Sequence, residues 1–202
     1  MISFLFAILA SQLLSTAVFA QSAGIKTIVA FGGSVNDNGN FFSQYAFPPA
    51  PYWQGRFSNG PVWVEQLATL LKNATLLDFA SIGACANVSN AGVSTVPGTK
   101  VPAASVPDLW KQYESHQNDT RAKGASLDTD LFTVFAGADD MLYAMGRGEV
   151  PDVVGIAGSV VKFVGALAKS GTKQILVANI PPLDLQLIAK RMIYPPFFIV
   201  EK

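Results

Sequence analysis

The stretch Ile25-Lys26-Thr27-Ile28-Val29-Ala30-Phe31-Gly32-Gly33-Ser34-Val35-Asn36-Asp37-Asn38-Gly39-Asn40 opens on an apolar run and breaks into a glycine-serine turn. A short apolar run closed by turn residues reads as a buried parallel strand, here Ile25 to Phe31. The pattern returns at Leu76 to Phe79 before Ser81-Ile82-Gly83, at Leu131 to Phe135 before Gly137-Ala138-Asp139, and at Gln174 to Ala178 before Asn179 to Pro182. Amphipathic stretches lie between these runs. Val62 to Leu71 puts Val62, Leu67, Leu70 and Leu71 near one face, and Val153 to Ala168 repeats Val153, Ile156, Val160, Val164 and Leu167 at helical spacing. Asp152 stands where it can cap the second helix. Strands alternating with helices predict a doubly wound α/β sheet. Ligands of such sheets sit outside the carboxyl ends of the strands, so the four turns are where chemistry is expected. Phe41 to Gly60, rich in proline, glycine and aromatics, reads as a long ordered loop, and Asn90 to Pro107 as another.

The chain has 202 residues, half of them apolar, which suits one domain with a sizeable core. Fourteen basic residues balance 14 acidic ones, with no basic stripe for nucleic acid and no acidic tail. Ile2 to Phe19 is uncharged and mostly apolar, and Val18-Phe19-Ala20 is a small-x-small cleavage pattern. Ser11, Gln12, Ser15 and Thr16 interrupt the run, which favours a signal peptide over residues 1–20 rather than a membrane anchor. Three glycosylation acceptors, Asn73, Asn87 and Asn118, agree with export to the outside of the cell. Cys85 is the only cysteine, and among small neighbours it reads as a buried hydrophobe.

Ser34 alone is an ordinary turn serine. At a sharp strand-to-helix turn, however, such a hydroxyl can stand above the sheet, with a backbone N–H facing a developing oxyanion. Three further blocks follow in order: Gly55-Arg56-Phe57-Ser58-Asn59-Gly60-Pro61-Val62-Trp63, Phe79-Ala80-Ser81-Ile82-Gly83-Ala84, and Phe135-Ala136-Gly137-Ala138-Asp139-Asp140. Together with the Ser34 turn they resemble the blocks of the GDSL family, also called SGNH hydrolases, from about Ile25 to Pro182. Within that family the chain looks most like secreted fungal-type acetylesterases that deacetylate plant polysaccharides.

The resemblance implies ester hydrolysis on a flavodoxin-like three-layer α/β sandwich with a parallel sheet, without metal or cofactor. The family nucleophile falls on Ser34, and its further oxyanion-hole positions on Gly83 and Asp139. Trp53, Phe57 and Asn59 become candidates for substrate binding. The aromatics Phe41, Phe42, Tyr45, Phe47, Tyr52, Trp53 and Phe57 have two readings, a sugar-binding cleft or loop packing, and packing is the commoner use of such a cluster.

The chain departs from the family pattern in three places. Gly33 stands where the family has aspartate. Asp139 stands where it has asparagine, and an ionised carboxylate accepts hydrogen bonds but donates none; a protonated one would donate, given a strongly raised pKa. No Asp-x-x-His occurs, and the only histidine, His116, lies in a polar stretch and is expected at the surface. The sequence-based expectation is therefore a signal peptide over 1–20 and a partial, C-terminally incomplete domain over 21–202. It is a secreted ester hydrolase by descent, acting on a small ester or acetylated polysaccharide, with weak or no activity. The alternative is a non-catalytic carbohydrate-binding relative.

Overall fold

The computed structural model describes residues 24–180, except positions 73 and 125. The signal peptide, Asn73 and the chain from Pro181 onward lie outside the described residues. Four parallel strands form one sheet: β1 (Thr27–Gly32), β2 (Thr75–Asp78), β3 (Asp130–Phe135) and β4 (Gln174–Val177), in the order β2-β1-β3-β4. Five α-helices accompany them: α1 (Asn40–Tyr45), α2 (Trp63–Leu70), α3 (Leu109–Asn118), α4 (Ala138–Gly146) and α5 (Val153–Lys169). Among the described residues, no helix is long and apolar enough to cross a membrane.

Alternation along β1 divides the core into two layers. Val29 and Phe31 point to one face, where they pack with Phe132 and Val134 of β3, Leu109 of α3, and Phe163 and Leu167 of α5. Ala30 points to the other face and meets Val62 and Val64 at the start of α2. Helices on both faces of a parallel sheet make the three-layer α/β sandwich of the SGNH hydrolase fold. The strands read as unbroken apolar runs because the sheet is covered on both sides.

Gly32 belongs to β1 rather than to the turn. Its φ is +134°, and a Cβ there would stand 1.9 Å from the Phe135 carbonyl oxygen, so β1 and β3 can approach only across a glycine. In α2 the inward residues are Val64 and Ala68, while Leu70 is 80% exposed, against the expected face. Likewise Val153 is exposed at the first turn of α5, and Phe163 takes a core place. Asp152 caps α5 as its spacing predicts, accepting the Gly155 N–H at 2.9 Å.

Candidate active site

Three turns at the carboxyl ends of adjacent strands carry Ser34 after β1, Gly83 after β2 and Asp139 after β3. The Gly33 N–H bonds to the Phe135 carbonyl at 3.1 Å, and the N–H groups of Asn36 and Asp37 close back on the Gly33 carbonyl. Buried Asn36 locks the turn from below. Its Nδ2 donates to the Phe31 carbonyl at 2.9 Å, and its Oδ1 accepts from Trp63 Nε1 at 2.6 Å. Ser34 remains half-buried above this base.

Asp37 holds the β1 and β2 turns together. One oxygen accepts the N–H groups of Gly39 and Asn40, and the other those of Phe41 and Ile82. Burial still raises its pKa, more than these four bonds lower it. Asp78 at the end of β2 accepts the N–H groups of Asn38 and Ala80, and burial pushes its carboxyl well above the ordinary range. Gln112 reaches from α3 to clamp Gly32 on both sides, accepting its N–H at 2.8 Å and donating to its carbonyl at 3.0 Å.

Gly83 has φ +81°, a left-handed conformation suited to glycine. Its carbonyl accepts from the buried Tyr143 hydroxyl at 3.0 Å, and a Cβ would stand 2.6 Å from that hydroxyl and 2.8 Å from Val96 Cγ2. The neighbouring Cys85 is buried against Ala91, Ala103 and Tyr143, and burial raises its pKa. Neither the Ser34 N–H nor the Gly83 N–H has a hydrogen-bond partner among the described residues. Two backbone donors on neighbouring turns are thus left without a protein partner among the described residues.

Asp139 and Asp140 lie in the first turn of α4 and are used differently. Asp140 is fully buried and accepts from the Ala86 and Asn87 N–H groups and from Asn90 Nδ2, which anchors the β2 loop. The Asp139 carboxyl points at Gly33, where a Cβ would stand 2.6 Å from Oδ2. Desolvation first, then the nearby Asp140 charge, raise its pKa to about 7.

His116 is not the surface residue expected from its polar neighbours. Its ring sits among Phe31, Phe79, Tyr113 and Phe132 at centroid distances of 5.4 to 5.9 Å. Both ring nitrogens are buried without a hydrogen-bond partner, so it is not bonded to Ser34, and burial lowers its pKa. The polar appearance of α3 misled because only part of the helix faces solvent; Leu109, Gln112 and His116 turn inward.

The Gly55–Trp63 block is largely scaffold. Arg56 pairs with Glu65 of α2 at 2.6 Å and lies over the Trp53 ring. Phe57 stacks on Tyr52 and Phe47, and Phe47 meets the buried Phe41. Trp53 is half-buried, whereas Phe57 and Asn59 are exposed. Of the glycosylation candidates described, Asn118 is exposed at the end of α3. Asn87 is half-buried, and its Oδ1 accepts from the Ser89 N–H and hydroxyl.

Residues 28–197 match the GDSL-like lipase/acylhydrolase family. A phosphatidylcholine-sterol acyltransferase of Aeromonas hydrophila is 29% identical over 159 residues, which are 77% of this chain and 44% of that protein. A thermolabile hemolysin of Vibrio parahaemolyticus serotype O3:K6 (strain RIMD 2210633) is 31% identical over 166 residues, 80% of this chain and 35% of its own length. The chain thus spans less than half the length of these curated relatives. With the serine, the glycine and the aspartate brought to three neighbouring strand ends of a parallel sheet, and the family match running through all of them, the chain belongs to the GDSL-like lipase/acylhydrolase family.

Proposed function

We propose that this protein hydrolyses carboxylic esters with Ser34 as nucleophile. The observation that carries the reading is the pair of backbone donors without a protein partner among the described residues, the N–H groups of Ser34 and Gly83, on the turns that follow the neighbouring strands β1 and β2. Donors fixed in place before the reaction stabilise the oxyanion of acyl transfer, and one of them is worth about a hundred- to a thousandfold in rate. Ser34 attacks the acyl carbon, the alcohol leaves, and water later releases the acyl group. An attacking serine also needs a base, and His116 is turned into its aromatic nest. Turnover by the 202 residues alone is therefore slow, and added imidazole, acting as an external base, raises the Ser34-dependent part.

The substrate reading is a short acyl ester of plant polysaccharide, met outside the cell after removal of residues 1–20 and glycosylation at Asn73, Asn87 and Asn118. The outward rings of Tyr52 and Phe57, beside Trp53 and Asn59, support a sugar-facing rim. A second reading, an acyl ester of a phospholipid, is favoured by the name of the Aeromonas relative. Acetylated xylan and phosphatidylcholine vesicles, each offered to the wild type and to Ser34→Ala, separate the two. Sugar binding with no Ser34-dependent turnover of either would instead support a non-catalytic carbohydrate-binding protein.

A further inference from the structure

The space at Gly33 is filled by another residue's side chain. A Cβ at this position would stand 2.6 Å from Asp139 Oδ2, far inside contact distance, while its next neighbour, the Ala84 carbonyl oxygen, would be 3.8 Å away. The Asp139 carboxyl thus lies in the notch left by a residue with no side chain, one position before the nucleophile. It has no hydrogen-bond partner among the described residues. That sets it apart from the other site carboxyls, since Asp37, Asp78 and Asp140 each accept from two or more donors.

Asp139 is half-buried, and the protein groups around it offer a carboxylate no balancing charge. Asp140 and Tyr143 come from its own helix, and Cys85 from the β2 loop; both Cys85 and Tyr143 are held in their neutral forms by burial. The Ser34 turn contributes Asp37, whose oxygens are already taken by backbone N–H groups. Arg147, just past the end of α4, is paired with Glu149. No cation among the described residues meets Asp139, and its proton is retained up to about pH 7.

We propose that Asp139 serves the oxyanion as a carboxylic acid, donating its O–H, and that Gly33 is the positioning residue that seats it beside the Ser34 turn. This rests on the ester-hydrolase reading above. The acid supplies the neutral donor that a carboxylate cannot, and the proton stays on Asp139 throughout. Ionisation turns the same group into a repulsive neighbour of the oxyanion, so the hole is closed by rising pH. A side chain at 33 pushes the carboxyl out of the notch toward water and restores ordinary titration.

Two measurements on the full chain test this. In the first, aspartate carboxyl carbons are labelled with carbon-13, and the Asp139 resonance is assigned by its loss in Asp139→Asn. The expected midpoint is about 7 in the wild type, moving down by roughly two units or more in Gly33→Ala, toward the ordinary value of about 4. A wild-type midpoint near the ordinary value overturns the proposal even if Gly33→Ala does not fold. An unchanged midpoint in folded Gly33→Ala overturns the role of Gly33. In the second, the rate of Ser34 labelling by a fluorophosphonate is compared at about pH 6 and about pH 8.5, on either side of that midpoint. The ratio of wild type to Asp139→Asn is expected to fall by about tenfold or more as pH rises. A constant ratio overturns the oxyanion role. No labelling of either protein overturns the ester-hydrolase reading and the oxyanion role with it, while the carbon titration still decides whether Gly33 seats the acid.

Discussion

The Asp37 carboxylate accepts the Ile82 N–H at 2.8 Å, and this bond fastens the turn that carries Ser34 to the turn that carries Gly83. The same carboxylate gathers three more N–H groups at the entry to α1. Asp37→Ala leaves four backbone donors without their acceptor in a buried place. The expected loss is roughly 3–5 kcal/mol of unfolding free energy, with Asp37→Asn between it and the wild type. Urea denaturation checks this, and a loss under about 1 kcal/mol would show that water replaces the carboxylate.

Gly83 and Tyr143 are coupled through one contact. Gly83→Ala forces a Cβ against the Tyr143 hydroxyl and strains a φ of +81°. It is expected to cost about 2–3 kcal/mol. Tyr143→Phe gives up the bond to the Gly83 carbonyl, about 1 kcal/mol, but clears the oxygen that collides. The double variant should therefore be more stable than the sum of the single losses by at least about 0.5 kcal/mol. Additive losses in denaturation would contradict the contact.

His116 is a polar ring in an apolar nest, and its two nitrogens are desolvated without compensation. Its folded pKa lies below the unfolded value of about 6.5, so the unfolded chain binds the proton more readily. Stability is therefore lost as pH falls below about 6.5. His116→Phe should raise stability by about 1 kcal/mol at neutral pH and by more near pH 5.5, without changing Ser34 labelling. Equal stability changes at both pH values would place the ring in water.

The site carboxyls act in the opposite direction. Asp139 holds its proton to about 7 in the fold and to about 4 when unfolded, so stability falls as pH rises between these values and is level above them. Asp139→Asn should remove that part of the decline while leaving the parts due to Asp37, Asp78 and Asp140. Melting temperatures of the two proteins from about pH 4 to about pH 8 report the difference, which should widen until about 7 and then stay constant. Parallel curves across the whole range would mean that Asp139 titrates normally in the fold.

Much of this architecture was legible in the sequence, for a physical reason. Strands buried on both faces are continuous apolar runs, and each of the four was located to within two residues; Ile25 to Phe31 became Thr27–Gly32. The turns that follow them were legible because glycine and serine mark sharp reversals. The face of α2 was misread because Ala68 packs inward and Leu70 outward, against hydrophobicity. Helices α3 and α4 left weak signals, since their inward groups include Gln112, His116 and Asp140. The polar anchors of the site were illegible for a related reason. Asp37 meets Ile82 across 45 residues, Asp140 meets Ala86 across 54, and Gln112 meets Gly32 across 80. Before the chain is folded, each reads as an ordinary loop or surface residue. The Gly55–Trp63 block is held to α2 by the Arg56–Glu65 pair, a contact that its own residues do not reveal because Glu65 lies beyond it.

If Ser34 is the nucleophile, it takes an acyl group from an ester. Among the described residues His116 is held away from Ser34, so in these 202 residues an acetyl-serine is expected to outlast its formation and accumulate. The purified chain, incubated with p-nitrophenyl acetate and then digested, is read by peptide mass spectrometry. The predicted result is one acetyl group on the peptide carrying Ser34, formed with a burst of nitrophenol and absent from folded Ser34→Ala. An unmodified Ser34 peptide, or the same acetylation in Ser34→Ala, would contradict the assignment of the nucleophile.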